Sequence, residues 1–149
     1  SFASTRSVLA PDPRPLASTM TTRTASCTCG QLTATTSEEP IRVSVCHCLA
    51  CQRRSGSAFA VQARFRRSSV TLSGESTSYV RTGDEGSRSV FHFCPRCGDT
   101  IHFELEGDGS SIAIPVGAFA EPGFPAPTFS VYEKRKHTWV SLPDDMERM

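Results

Sequence analysis

Seven cysteines fall into three tight groups: Cys27 and Cys29 in "CTCG", Cys46, Cys48 and Cys51 in "CHCLACQRR", and Cys94 and Cys97 in "CPRCG". Thiols crowded at such spacing serve either disulfide bridges or metal coordination. Three features weigh against bridges. The number is odd, so one thiol would be left over. Cysteines two positions apart cannot bridge without strain. The N-terminal stretch also lacks the apolar core of an export signal: its one short run, Val8 to Ala10, is interrupted by Pro11, Pro13 and Pro15. Reduced thiols in the cytoplasm, holding metal, are the expectation.

The first and last groups both end in Cys-Gly. A glycine after the second thiol permits a tight turn that presents both sulfurs and brings backbone N–H groups towards them. Zinc in a structural site takes four ligands in a closed tetrahedron, and Cys27, Cys29, Cys94 and Cys97 can supply them. That leaves Cys46, Cys48 and Cys51. Three protein ligands and an open fourth position are the pattern of a catalytic or binding ion; water, a substrate thiol or a histidine could fill the gap. His47 stands between two of the ligands, so its side chain should point away from an ion they share. His92 and His102 are expected on strand surfaces flanking "CPRCG". Arg53 and Arg54 follow the trio directly, placed to offset the negative charge of thiolates and to hold a carboxylate on an incoming ligand.

The segments that must position these groups read as strands. "SAFAVQARF" sets Phe59, Val61, Ala63 and Phe65 against Ala60, Gln62 and Arg64 with the period of a half-buried strand. "TIHFELE" repeats the pattern, with Ile101, Phe103 and Leu105 inward and His102 and Glu104 outward. "SIAIPV" places Ile112, Ile114 and Val116 on one face, and Pro115 suggests an edge or a bulge. Turn signals separate the runs at Ser73-Gly74-Glu75, Gly83–Gly86 and Gly107–Gly109. Only Leu49 to Ser55 can be helical, and "FSVYEK" reads as a last strand after Pro122, Pro125 and Pro127. The fold class is mainly β. Residues 20–149 are read as a single zinc-binding domain, and residues 1–19 as a disordered leader or an appended remnant.

Composition removes other classes. The 149 residues carry a net charge of +1 from 16 basic and 15 acidic side chains, without the basic face of a nucleic-acid binder. No apolar stretch approaches the roughly 18 residues of a membrane span.

"SCTCGQL", "CHCLACQRRSGSAFAV", "FCPRCGDTIHFEL" and a late "VGAF…EP" before Trp139 follow one order and spacing that resembles the glutathione-dependent formaldehyde-activating enzyme family, which includes centromere protein V. The similarity runs from about Cys27 to Trp139 and takes in all seven cysteines. It implies a β-tent of two small antiparallel sheets joined near zinc knuckles. It also implies a structural zinc on Cys27, Cys29, Cys94 and Cys97, and a second zinc on Cys46, Cys48 and Cys51 where glutathione acts. The implied reaction joins glutathione to formaldehyde, or runs in reverse as a carbon–sulfur lyase. Ala118-Phe119-Ala120-Glu121-Pro122 departs from the Gly-Thr-Leu-Asp frequent in relatives. The alternative is a non-catalytic glutathione or thiol carrier, or a zinc-stabilised binding module; a redox role ranks third, for want of a Cys-x-x-Cys in a βαβ setting.

Overall fold

A computed structural model describes residues 21–149; the leader assigned to residues 1–19 lies outside the described residues. In chain order the elements are β1 (Arg23–Ser26), β2 (Thr33–Thr36), β3 (Arg42–Cys46), α1 (Leu49–Ser55), β4 (Ala60–Arg66), β5 (Val70–Ser73), β6 (Thr77–Thr82), β7 (Arg88–Phe93), β8 (Thr100–Leu105), β9 (Ser111–Pro115), β10 (Phe129–Val131) and β11 (Glu147–Arg148). They form a three-stranded sheet, β1-β2-β5, and an eight-stranded sheet, β11-β10-β3-β4-β9-β8-β7-β6. The mainly-β, two-sheet expectation holds, and α1 spans the segment read as helical.

The larger sheet departs from the small antiparallel sheet expected at one edge, where β10 runs parallel to both β3 and β11. A tight hairpin can deliver only an antiparallel neighbour. β10 instead arrives through the long proline-marked segment after Phe119, which leaves its direction free. The core lies between the sheets. Ala25, Leu32, Ala34 and Val70 from the smaller sheet and its turns meet Phe65, Ile101, Ile112 and Ile114 of the larger one. Each large apolar side chain so buried contributes about 1.5–3 kcal/mol.

Two inward–outward assignments fail in β8. His102 is buried (4% exposed) rather than on the strand surface, and Leu105 is exposed at 41%. The cause is a register shift opposite His92 and Phe93, which breaks the strict alternation so that Ile101 and His102 are both covered. Pro115 is likewise not on an edge strand: β9 lies between β4 and β8. It closes β9 as its last residue, where its missing N–H costs least.

The crossing from β5 to β6 carries the chain from one sheet to the other. Gly74, at φ +98°, passes so near Gln31 that an added Cβ would collide with the Gln31 carbonyl oxygen. The Gln31 side chain completes the seam. Its Nε2 donates to the Glu75 carbonyl at 2.8 Å, and its Oε1 accepts from Glu75 N at 2.9 Å.

Candidate metal centres

Two matching knuckles face each other where the sheets meet. After β1, Gly30 N donates to the Cys27 carbonyl at 3.0 Å; after β7, Gly98 N donates to the Cys94 carbonyl at 2.8 Å. Both glycines have φ near +85° (84° and 85°), a conformation other residues adopt at a cost. The sulfurs of Cys27, Cys29, Cys94 and Cys97 all lie within 4.8 Å of one another. The Cys27–Cys29 and Cys29–Cys94 separations are 3.5 and 3.6 Å. Tetrahedral zinc with bonds of about 2.3 Å needs its sulfurs about 3.8 Å apart, so the donor set and its spacing fit that ion.

Donors already converge on these sulfurs. Leu32 N points at Cys27 Sγ (3.3 Å), and Gln31 Nε2 and Arg96 N at Cys94 Sγ (3.0 and 3.4 Å). Burial alone would push the Cys94 thiol up, but the Gln31 amide and the N–H groups of Cys97 and Arg96 draw it down to about 6. Asp99 Oδ2 accepts from Thr28 N and Thr28 Oγ1 at 2.7 and 2.6 Å, joining one knuckle to the other.

The second group sits at the end of β3. Cys46 is the last residue of that strand, Cys48 caps α1, and Cys51 lies in its first turn, with its N–H 3.3 Å from Cys48 Sγ. The three sulfurs form a compact group that could hold a metal ion, and among the described residues no histidine or carboxylate joins it. All seven thiols are free. Cys46 and Cys51 share a hydrogen bond that draws the Cys51 thiol down, helped by Cys48 and Arg54 against its burial, and pushes the Cys46 thiol up.

His47 points away from the group, as its place between two ligands predicts. Its Nε2 meets Ser130 Oγ at 2.9 Å, and burial lowers its pKa. His92 and His102 stack on each other at 4.3 Å and belong to neither group. Gln52 braces the loop: its Nε2 donates to the His47 carbonyl at 2.8 Å, and its Oε1 meets His137 Nε2 at 2.9 Å.

A cleft of about 520 Å³ is lined by Arg53, Arg54, Tyr79, Arg81, Phe91 and Phe93, among others; none of the three cysteines lines it, and Arg54 and Arg81 link its wall to their sulfurs. Arg54 adjoins Cys51, while Arg53 is exposed. The sequence reading missed Arg81, whose Nη1 comes within 3.9 Å of Cys48 Sγ from β6. A signal was present: Tyr79 and Arg81 share one face of that strand by the two-residue period.

The family model described as glutathione-dependent formaldehyde-activating enzyme matches residues 22–135, and the chain belongs to that family. Among solved structures, the fold is similar to a crystal structure of a Rhodobacter sphaeroides protein. That likeness has a TM-score of 0.51 and 22% identity, over 68% of this chain and 90% of the other. The comparison with curated proteins gave no match. No helix of the described residues is long and apolar enough to cross a membrane.

Proposed function

We propose that the chain is a zinc-dependent carbon–sulfur lyase of the S-hydroxymethylglutathione synthase type, working in the cytoplasm. It adds glutathione, or a similar small thiol, to formaldehyde or a related aldehyde, or cleaves the adduct. Membership of the family supports this reading. The observation that carries it is a three-sulfur group that no histidine or carboxylate joins among the described residues, linked by Arg54 and Arg81 to the cleft they line.

In this reading Cys46, Cys48 and Cys51 hold the reactive zinc, and Cys27, Cys29, Cys94 and Cys97 hold a structural one. A zinc ion there would deprotonate a bound thiol and polarise a carbonyl. A free thiol of pKa about 8.5 is only about 3% ionised at pH 7, so the gain in thiolate is about thirtyfold. The chain's own groups do the rest. Arg54 and Arg53 offset negative charge and orient a carboxylate, and Phe91 and Phe93 give the cleft an apolar wall. In the forward reaction the glutathione sulfur bonds to the formaldehyde carbon, and the carbonyl oxygen becomes a hydroxyl by taking up a proton; no electrons are exchanged with a third partner. Because formaldehyde is already reactive and unhindered, acceleration comes mainly from proximity.

The test combines zinc content with formaldehyde loss in glutathione, with and without catalytic amounts of protein. Two zinc ions per chain and a faster loss are expected; a rate equal to the protein-free control overturns catalysis. A non-catalytic thiol carrier is the second reading. One observation favours it: among the described residues no histidine or carboxylate joins the three sulfurs to move a proton, and His47 is turned to Ser130 instead.

A further inference from the structure

The arginines at the cleft lack what usually fixes a guanidinium. Among the described residues, neither Arg54 nor Arg81 pairs with a carboxylate. Nη2 of Arg54 and Nε of Arg81 are buried without a hydrogen-bond partner, a costly state for a charged donor. Aromatic faces hold both groups instead. Arg54 lies over Phe91 at 5.3 Å and over Phe103 at 5.1 Å, and Arg81 lies over Phe91 at 5.4 Å. The two rings stack at 4.8 Å as directly paired residues of β7 and β8. An aspartate or glutamate would position an arginine and also cancel it. A ring positions it while its charge and planar edge stay available.

The placement is asymmetric in a useful way. Arg54 comes from the end of α1 and adjoins Cys51; Arg81 comes from β6 and reaches Cys48. The two guanidiniums thus meet the sulfurs from separate elements, and each also lines the cleft.

We propose that Arg54 and Arg81 form a clamp for a carboxylate on the incoming thiol, so that the cleft selects anionic thiols over neutral ones of equal size. Arg81 is the specificity-determining member. The inference rests on the reading of the three-cysteine group as a thiol site. The competing role, neutralising the cysteine sulfurs alone, would favour acidic and neutral thiols alike.

The experiment titrates the zinc-loaded full chain calorimetrically with 3-mercaptopropionate and with 3-mercaptopropionamide, near-isosteres that differ in charge. The wild type is expected to prefer the acid by about 10- to 100-fold, the range of a charge-assisted hydrogen-bond pair. Arg81→Gln should bring the preference to within about threefold, chiefly by weakening the acid. Arg81→Lys should fall between, since it retains charge but loses the planar fork. Zinc content is measured for each variant, and Arg81→Lys carries the comparison if Arg81→Gln loses metal. A wild-type preference near unity, an unchanged preference in the variants, or an equal weakening of both ligands overturns the clamp while leaving a thiol site standing. Failure of the wild type to bind either thiol overturns the proposed function itself, and the clamp with it.

Discussion

Thr28 and Asp99, one in each knuckle, are joined by two hydrogen bonds to a single carboxylate oxygen, at 2.7 Å from Thr28 N and 2.6 Å from Thr28 Oγ1. Both residues sit beside candidate ligands, so the pair aligns the two halves of the four-cysteine group from outside. Asp99→Ala should destabilise the fold by about 1–2 kcal/mol, the range for partly exposed hydrogen bonds to a charged acceptor. Urea unfolding of the zinc-loaded protein measures it, and an unchanged midpoint would show the contact to be incidental.

Cys97→Ser tests the same group directly. Structural zinc contributes on the order of 10 kcal/mol to small domains, and here the site ties the two sheets together. The variant is expected to aggregate or to lose its cooperative transition. A soluble variant with the wild-type thermal midpoint would remove the structural role from Cys94 and Cys97.

Cys48→Ser should behave differently. Cys46, Cys48 and Cys51 lie at the end of β3 and on α1, apart from the core between the sheets. The variant is expected to retain its circular dichroism spectrum, carry about one zinc instead of two, and lose thiol binding. Global unfolding would make the second group structural.

His102 gives the stability a pH dependence of known sign. Burial, with His92 and Arg67 nearby, lowers its pKa to about 4 from an ordinary 6.5. Between these values the unfolded chain takes up a proton that the native one refuses, so stability is complete above pH 6.5 and falls as the pH drops towards 4. The loss should reach about 2 kcal/mol at pH 5. Acid also protonates thiolates, so the measurement compares the pH 7 to pH 5 change in wild type and His102→Gln. The variant should lose about 2 kcal/mol less; equal losses would sink the assignment.

The features that local spacing controls were legible. Cysteine spacing marked both sulfur groups, and α1 occupies the Leu49–Ser55 segment read as helical. What stayed hidden depends on distant pairing. Arg81 reaches Cys48 only because β6 pairs with β7, setting Tyr79 opposite Phe91. His102 is buried by a register shift that no alternation pattern announces. The parallel entry of β10 follows from a connection whose path is set by packing. Nothing local marks Gln31, whose amide serves a carbonyl at Glu75 and the sulfur of Cys94 together.

At Gly74 the bare backbone rests against the Gln31 carbonyl, so the gap between the β5–β6 crossing and the first knuckle is fixed by atomic radii in the folded chain. A thiol nest held ready in this way surrenders little chain freedom on capture. It follows that the four-sulfur site should fill at low free-metal levels and empty slowly. Any enlargement at position 74 would pry the nest ajar from behind, without touching a ligand.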